Sequence, residues 1–443
     1  MRKRLRRLLC AALLPAVLLP LATAAAQDNA TKPVYDLSAC VARGLEANPA
    51  IVAARADLFG ADYARKAAIG DLLPTATAGY GYTHYDRQPA AGSGDRDQWG
   101  LHLNLSQPVF DGFNLLSKFQ KAKLAKEQNE AKLAQAELTL IKSIQTNFFL
   151  LLKARMDVKS AKDSVERLKS QLAVTQAFYD VGLKPRLDVL QAEVDLATAQ
   201  QNLLTAENTV SIQQAQLNTL LNLSVEAPAE YVGELLYTPF TLGLDDCLER
   251  AYKGRPDLTI GQKSVEMAEK DARITASAFY PTLTANADYY KYGNDPGVQG
   301  GSSFNVTAAE YWTAGASVNW KFFQWGSTFH NYKKDLETVA NLRAQLNNTR
   351  LNAGFEVKQG LLNMKAAADR IGVARKSVEA ARESYRMAVA RYQAQVGTNT
   401  DVLDAQSRVS SSEAQLNQAL SDYQTAMAGL YVSMGEKNPS LNH

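Results

Sequence analysis

The feature that most constrains the fold is a long stretch, from Asn114 to Tyr179, that contains neither proline nor glycine. At about 1.5 Å per residue, a single helix over this stretch extends for roughly 100 Å. A chain with such a helix cannot fold as an ordinary compact domain. Within the stretch, apolar and small residues recur at steps of three and four, which is the spacing of a coiled-coil seam. These residues are Val158, Ala161, Val165, Leu168, Leu172, Thr175 and Tyr179.

The second half of the chain carries further seams of this kind. One consists of Ile371, Ala374, Val378, Ala381, Tyr385, Ala388 and Tyr392. The last helical segment has a heptad seam made of Val402, Val409, Leu416, Tyr423 and Leu430, each followed three positions later by Ala405, Ser412, Ala419, Ala426 or Ser433. A second stripe beside it contains Gln406, Glu413, Leu420, Met427 and Met434. A helix with two adjacent seams is expected to pack against two neighbours.

The sequence also contains one unit twice. The segment from Leu37 to Cys40, with Asn48-Pro49 after it, corresponds to the segment from Leu244 to Cys247, with Arg255-Pro256 after it. Prolines 228 and 239 mark the boundary between the units. The predicted organisation is a signal peptide at 1–26, a first unit at 27–228 with long helices up to 223, a linker at 229–243, a second unit at 244–436 and a tail at 437–443.

Each unit is predicted to contain a β-hairpin. In the first unit, a helix over 37–72 should end before Pro74, because the residue before a proline avoids helical geometry. Alternation of apolar and polar residues then predicts strands. The apolar positions are Trp99, Leu101, Leu103 and Leu105 in one unit, and Trp312, Ala314, Ala316, Val318, Trp320 and Phe322 in the other. The partner strands are Thr75–Arg87 and Thr282–Tyr292, which gives hairpins at 75–110 and 282–323 and loops at 88–97 and 293–310.

The first residues are typical of a secretory signal peptide. A basic start is followed by the apolar stretch Leu8–Leu21 and by Ala24-Ala25-Ala26, the small residues that a signal peptidase requires. The formal net charge of +3 falls to −2 once the five basic residues of this leader are removed. The mature chain therefore gives no global case for nucleic-acid binding, which needs a basic surface. Beyond the leader, no run of about 18 apolar residues predicts a membrane-spanning helix.

The strands have the composition of membrane strands. All 4 tryptophans lie in or just after the hairpins, together with many tyrosines. Short strands with one apolar face and aromatic ends are what a transmembrane barrel requires. Four strands cannot close such a barrel, since the smallest known barrels have about eight. At least two chains must then share one sheet. The alternative is a soluble sandwich whose apolar strand faces pack on helices.

Several short motifs, in the same order in both units, resemble those of the TolC-type outer-membrane efflux proteins. They are Asn48-Pro49 and Arg255-Pro256, Leu73-Pro74 and Tyr280-Pro281, the segment from Pro108 to Gly112, the segment from Tyr179 to Leu190, and the segment from Tyr392 to Asp404. The resemblance covers about 35–436. It implies an α+β membrane protein in which a homotrimer forms a β-barrel of four strands per chain in outer-membrane lipid. The barrel continues through the periplasm as a long α-helical coiled-coil barrel.

The resemblance also implies function. Such channels are passive exit ducts without cofactors, for efflux or type I secretion, and they bind a periplasmic adaptor protein and an inner-membrane transporter. The periplasmic constriction would lie at the second helix tip, with Asp401 and Asp404 as an acidic ring. Such a ring draws in cations and could bind a plugging metal ion. The alternative role for Asp401 is to cap the last helix. The two roles do not exclude each other.

The same resemblance makes Tyr392 and Asp188 candidates for a polar latch that holds the helix tips closed. Their alternative role is ordinary coiled-coil surface. Gly182 suits the end of a helix, whereas Gln395 stands where the family usually has glycine, so this tip should be stiffer or differently capped. Gly397 replaces an arginine that some members carry in the latch. Asp188 would then have to pair with Lys184, Arg186 or Arg391.

Other functional classes have weaker support. The four histidines share no metal-ligand spacing, and no catalytic set is clustered, so an enzyme is not expected. Cys40 and Cys247 occupy equivalent positions in the two units, which favours two buried thiols over a disulfide. His102 is expected to line the barrel. Two rival proteins fit the helices: a secreted trimeric coiled-coil adhesin or structural envelope protein, and a soluble periplasmic adaptor.

Overall fold

A computed structural model describes residues 33–86, 96–299 and 310–438. The predicted signal peptide lies outside these ranges, as do most of the two hairpin loops and the last five residues of the tail. The elements follow the same order in the two halves of the chain. The first half contains β1 (Val34–Tyr35), α1 (Leu37–Ala47), α2 (Pro49–Gly70), β2 (Thr75–His84), β3 (Asp97–Phe110), α3 (Asn114–Asp180) and α4 (Arg186–Leu220). The second half contains β4 (Glu230–Tyr231), α5 (Leu244–Gly254), α6 (Pro256–Ala276), a 3₁₀ turn (Ser277–Phe279), β5 (Thr282–Gly293), β6 (Glu310–Asn319), α7 (Ser327–Gln393) and α8 (Asn399–Ser433).

The long helix predicted from Asn114 is confirmed. Helices α3 and α7 each contain 67 residues, and at about 1.5 Å per residue each extends for roughly 100 Å. Helices α4 and α8 contain 35 residues each and pack back along them. Both α6 and α8 lie between α3 and α7, at different levels along their length. One chain therefore forms a single layer of long helices rather than a compact bundle.

The single helix predicted over 37–72 is wrong. It is two helices, α1 and α2, separated by Asn48, whose ψ of 129° is extended. The physical reason is the proline rule that also operates before Pro74: Pro49 keeps the preceding residue out of helical geometry and is itself well suited to a first helical position. The Asn48 side chain caps α2 by accepting a hydrogen bond from the Ala50 N–H at 2.9 Å.

The four predicted strands form one antiparallel sheet in the order β2-β3-β5-β6. Strand β6 ends at Asn319, so Trp320 and Phe322, which alternation assigned to the strand, follow it instead. Alternation continues past the last backbone pair because aromatic residues also occupy the segment after the strand. Among the described residues, the outer edges of β2 and β6 pair with no further strand. Both edges of the sheet are thus open in a single chain.

The register of the sheet places apolar residues together on one face. Leu103 lies opposite Ala78 on one side and Tyr289 on the other, and Tyr289 lies opposite Trp312. Leu103 is 44% exposed and Trp312 is 74% exposed, so the helices of this chain do not cover this face. The sandwich alternative requires that cover and is therefore wrong. The opposite face carries His102, whose Nε2 lies 2.8 Å from Asp288 Oδ1.

The two seams predicted on the last helix are confirmed. Its buried residues include Val402, Val409, Tyr423 and Leu430 of the first seam and every member of the second stripe. The helix packs against both α7 and α3. Glu413 joins all three helices, since its carboxylate lies 2.7 Å from the Arg382 guanidinium of α7 and 3.6 Å from that of Arg167 on α3.

The seam predicted on α7 holds, whereas the seam predicted on α3 is displaced. Ile371, Ala374, Val378, Ala381 and Tyr392 are buried on α7. On the corresponding part of α3, the buried residues are Ser164, Leu168, Gln171 and Thr175, and Tyr179 is exposed. Helix α3 contacts α4 and α8 at once, so its buried stripe faces the line between them and includes polar residues that bond to α8.

The main apolar core surrounds the middle of α3, where α1, α5 and β4 pack on the long helices. Cys40 and Cys247 are both fully buried in this core as free thiols, which confirms the prediction against a disulfide. Burial raises the pKa of the Cys40 thiol to about 12. At neutral pH this thiol therefore stays protonated and has little nucleophilic character.

Candidate gate at the helix tips

The ends of the long helices form two neighbouring turns. Helix α3 ends at Asp180 and α4 begins at Arg186, while α7 ends at Gln393 and α8 begins at Asn399. These turns coincide with the two tips expected from the sequence. All of the predicted site residues lie in or beside them, so the structure brings the candidate site together at one end of the molecule.

Gly182 and Gln395 have the same backbone geometry. Their φ angles are 78° and 62°, both in the left-handed region. The same backbone hydrogen bond closes each turn. The Gly182 N–H donates to the Tyr179 carbonyl, and the Gln395 N–H donates to the Tyr392 carbonyl. Of the two expectations for Gln395, the different cap is therefore wrong, whereas the stiffer tip stays a prediction. A non-glycine residue in this region is strained by about 1 kcal/mol.

Gly397 lies where the backbone of the tip folds closely onto the end of α7. A Cβ atom at this position would be 3.2 Å from the Arg391 Cβ and 3.2 Å from the Tyr392 nitrogen. The Arg391 guanidinium lies beside the tip backbone, where its Nη2 donates to the Val396 carbonyl at 3.4 Å. Close packing is therefore a reason for glycine at position 397. Glycine also means that the predicted latch lacks the arginine that some members of the family carry here.

Tyr392 is fully buried at the end of α7. Its hydroxyl donates to Thr175 Oγ1 on α3 at 3.3 Å, and its ring packs on Phe178 with centroids 5.5 Å apart. The Lys184 ammonium lies 5.2 Å from the centre of the same ring. Burial, and secondarily the charge of Asp188, raise the pKa of the Tyr392 hydroxyl, so the hydroxyl remains a donor at neutral pH.

Asp188 does not form the ion pair that the sequence suggested. Within the described ranges its carboxylate contacts none of the proposed partners, Lys184, Arg186 or Arg391, within ion-pair distance. Its backbone carbonyl is engaged instead, accepting a hydrogen bond from Asn399 Nδ2 at 3.0 Å. In one chain, Tyr392 is therefore held by Thr175 of α3 rather than by the Asp188 carboxylate.

Sequence reasoning missed the polar cluster beneath these residues. Gln171, Thr175, Tyr392 and Asn399 are all at least 95% buried. Gln171 Nε2 donates to Asn399 Oδ1 at 2.9 Å and approaches Thr175 Oγ1 at 3.3 Å. The only signal in the sequence was the presence of polar residues at positions where a coiled-coil seam usually has apolar ones.

Asp401 forms a capping box with Thr398 at the start of α8. Its carboxylate accepts from the Thr398 N–H at 2.9 Å, and Thr398 Oγ1 accepts from the Asp401 N–H at 3.1 Å. The backbone bond from Thr398 is the main cause of a lowered pKa of this carboxyl. The capping role considered for Asp401 is therefore present, and the side chain remains exposed and charged at neutral pH.

Asp404 is exposed one turn further along α8. Burial is the main cause that raises the pKa of Asp195 on α4, and the charge of Asp404 adds to it. The carboxylates of Asp195 and Asp404 are thus close enough to repel each other. Asp195 is an acidic neighbour of the predicted ring that sequence analysis did not identify.

A metal site and a membrane-spanning helix each place their own requirements on the described residues. In the ranges covered by the structure, no cluster of three or more histidine, cysteine, aspartate or glutamate side chains has an arrangement suited to one metal ion. None of the helices in those ranges is long and apolar enough to cross a membrane.

The fold is that of outer-membrane channels. The chain superimposes on the outer-membrane channel OprN with a TM-score of 0.78 and 21% identity, covering 90% of this chain and 89% of that one. The likeness to the outer membrane protein VceC of Vibrio cholerae has a TM-score of 0.79 and 20% identity, covering 90% and 96%.

Residues 41–223 and 247–436 match the family model of outer membrane efflux proteins. The outer membrane protein TolC of Vibrio cholerae is 23% identical over 442 residues, or 94% of this chain and 95% of the relative. The toluene efflux pump outer membrane protein TtgC of Pseudomonas putida is 23% identical over 414 residues, or 88% and 81%. The chain belongs to the outer membrane efflux protein family.

Membership confirms the predicted role in efflux and the predicted outer-membrane location: this is an outer membrane efflux channel protein. Gating at the helix tips stays a prediction. The family is one of transport proteins rather than enzymes. The two rival interpretations, an adhesin and a soluble adaptor, are therefore wrong.

Proposed function

We propose that three copies of this chain close a twelve-stranded barrel in the outer membrane and a helical tunnel below it, gated at the helix tips. The observation that carries the proposal is the four-stranded sheet with an exposed apolar face and two open edges. Open edges are not tolerated in hydrocarbon, because lipid cannot satisfy their backbone groups. Pairing β6 of one copy with β2 of the next removes every open edge.

The helices support the same assembly. Helices α2 and α4 form one lateral border of the helix layer, and α7 forms the other. Both borders expose large apolar side chains: Val194 and Leu204 on α4 are 64% and 68% exposed, and Phe355 and Val373 on α7 are 66% and 70% exposed. Seams of this kind are buried when another long helix packs on them. The next copy supplies that helix on each side.

Aromatic residues at both ends of the strands support insertion into lipid. Tyr82 packs on Trp99 at one end, with ring centroids 4.6 Å apart. At the other end, Trp320, Phe323 and Trp325 follow β6 and are largely exposed. Aromatic girdles at the two interfaces are typical of membrane barrels. Between them, the apolar face formed by Leu103, Trp312 and their neighbours would contact lipid.

At the periplasmic end, the trimer would bring three copies of Asp401 and Asp404 around the axis. Carboxylates in a narrow pore favour cations over anions and offer oxygen ligands to a plugging metal ion. Each Asp401 carboxylate is ionised at neutral pH, and the capping box lowers its pKa further below the ordinary value. Tyr392, Asp188, Gly182, Gln395 and Gly397 belong to the moving part of this gate.

The chain supplies a passive duct, so energy must come from partners. We infer that a periplasmic adaptor and an inner-membrane transporter dock at the tips in an efflux or type I secretion system. Two packings of one coiled-coil seam need to differ by only a few kcal/mol for docking to shift the equilibrium.

Planar-bilayer recording under a salt gradient tests the proposal. We expect a cation-selective reversal potential for the parent protein, and weaker selectivity for Asp401→Asn and Asp404→Asn. The amide in Asp401→Asn can still accept the Thr398 bond, so this variant removes charge while keeping the cap. Equal reversal potentials in all three proteins would exclude the acidic ring.

A shut tip could hide the conductance of the parent protein. Tyr392→Ala removes the contacts with Thr175 and Phe178 and serves as an opened control. If the parent is silent and Tyr392→Ala conducts, the tip is the gate. If neither protein conducts, the channel proposal fails.

A further inference from the structure

Asn399 has an unusual position for a polar residue. It is the first residue of α8, at the end of the molecule where side chains usually reach solvent, yet it is only 1% exposed. A helix-start residue gains little from burial unless its polar atoms find partners.

The Asn399 amide joins two other elements to α8. Its Oδ1 accepts from Gln171 Nε2 of α3 at 2.9 Å, and its Nδ2 donates to the backbone carbonyl of Asp188 in the first turn of α4 at 3.0 Å. This pattern fixes the orientation of the amide, because Gln171 presents a donor and the Asp188 carbonyl presents an acceptor.

The cluster continues to the end of α7. Thr175 Oγ1 donates its one proton to the Gln171 carbonyl at 2.9 Å and accepts from the Tyr392 hydroxyl at 3.3 Å. At the tip itself, Tyr392 and Asn399 are the side chains through which the α7–α8 hairpin bonds to the α3–α4 hairpin in the described residues. Asn399 is the one that contacts both helices of the opposite hairpin.

We propose that Asn399 is a positioning residue that holds the α7–α8 hairpin against the α3–α4 hairpin while the tip is closed. The proposal rests on the gated channel described above. Separation of the two hairpins must break both amide bonds, and the closed state keeps Gln171 and the Asp188 carbonyl satisfied. Without the amide, Gln171 and the Asp188 carbonyl each lose a hydrogen bond while the tip is closed, and Gln171 keeps only its longer contact with Thr175 among the described side chains. In the open tip water can replace these bonds, so their loss weakens the closed state more than the open one.

Two substitutions distinguish hydrogen bonding from packing. Asn399→Ala removes both bonds and most of the side-chain volume, whereas Asn399→Leu keeps a similar volume and removes only the bonds. Asn417 offers a matched control on the same helix. It is buried, and its Nδ2 donates to Asp157 Oδ1 of α3 at 2.8 Å, but it lies about 27 Å from Asn399 along the helix.

Hydrogen–deuterium exchange reports the tip without requiring conductance. In the purified full-length protein, we expect amides of the first two turns of α8 to exchange roughly tenfold faster in both Asn399 variants. Amides around Asn417 should keep the parent rate in those variants. Asn417→Ala and Asn417→Leu should leave exchange at the tip unchanged.

Planar-bilayer recording then tests gating, with Tyr392→Ala as the opened reference. We expect both Asn399 variants to raise open probability roughly tenfold over the parent, and the Asn417 variants to match the parent. The proposal is overturned if only Asn399→Ala opens the tip, because packing would then be responsible. It is also overturned if exchange increases while open probability stays at the parent value in a protein whose Tyr392→Ala variant conducts. Silence of every protein, including Tyr392→Ala, would instead contradict the channel proposal.

Discussion

The guanidinium of Arg255 donates to the backbone oxygen of Ser433 at 3.1 Å, and so connects the start of α6 with the end of α8. The other half of the chain has the same arrangement, in which Asn48 Nδ2 donates to the Leu220 carbonyl at 2.9 Å between α2 and α4. Each side chain satisfies a carbonyl left free at a helix end. These two bonds fix where α2 meets α4 and where α6 meets α8, alongside the long helices α3 and α7.

Loss of the Arg255 bond should weaken this junction. Its guanidinium is mostly buried and also pairs with Asp257 at 2.6 Å and Glu356 at 2.7 Å. Arg255→Ala leaves the Ser433 carbonyl and two carboxylates without this partner, so we expect a loss of about 2 kcal/mol in unfolding free energy. The matched control is Lys253→Ala, because Lys253 is 76% exposed and, within the part of the chain that the structure describes, pairs only with Glu249. Equal denaturation midpoints for the two variants would contradict the junction's importance.

Replacement of Gln395 by glycine should stabilise the second tip. The left-handed φ of 62° is unfavourable for a side chain and costs about 1 kcal/mol, which glycine avoids. We expect slower hydrogen exchange at the end of α7 in Gln395→Gly. Gln395→Ala retains the strain and should behave as the parent does. Faster exchange in the glycine variant would show that chain entropy outweighs the strain.

The first turn of α8 should loosen in acid. Hydrogen bonding to Thr398 keeps the pKa of the Asp401 carboxyl below its ordinary value of 3.8. A lowered pKa in the folded state means that the ionised form stabilises the fold above the unfolded value, and that this contribution is lost as pH falls through the folded pKa. We therefore expect protection of this turn, relative to Asp401→Asn, to be constant from neutral pH to about 5, to begin to fall near about 4 and to be lost only once the pH has dropped past the lowered folded pKa. A constant ratio down to pH 2 would contradict the capping role.

The two faces of β3 should respond differently to charge. Leu103 belongs to the exposed apolar face, whereas Asn104 lies on the opposite face and donates to Asp288 at 2.8 Å. An arginine on a lipid-facing strand costs about 2–4 kcal/mol near the bilayer centre. We expect Leu103→Arg to reduce the amount of folded protein in the outer membrane severely, and Asn104→Arg to be tolerated. The yield of heat-modifiable protein in purified outer membranes measures both, and equal yields would contradict the assigned faces.

Regular features of the fold could be predicted from the sequence because they depend on unbroken periodicity. No local sequence signal opposes the helical pattern that begins at Asn114 or the strand alternation around Leu103. The break at Asn48 was predictable from Pro49, but the helical pattern on both sides hid it. The end of β6 was not predictable, because Trp320 continues the alternation without a backbone partner.

The candidate site was predicted only in part, since its contacts join distant segments. Tyr392, Asp188 and Asp401 could be assigned by resemblance, whereas the pairing of Tyr392 with Thr175 depends on the rotation of α7 relative to α3. A shift of one residue in a coiled-coil register changes that pairing without changing the seam. Asn399 was missed for the same reason: its neighbours Gln171 and Asp188 lie on other helices.

Separate copies of this chain must join their sheet edges into one closed wall if the sheet is to lie in lipid. Native mass spectrometry of the full-length mature protein, extracted from outer membranes in mild detergent, measures the number of chains directly. We expect a complex of three chains. A folded single chain that stays dispersed after the detergent is removed would contradict it.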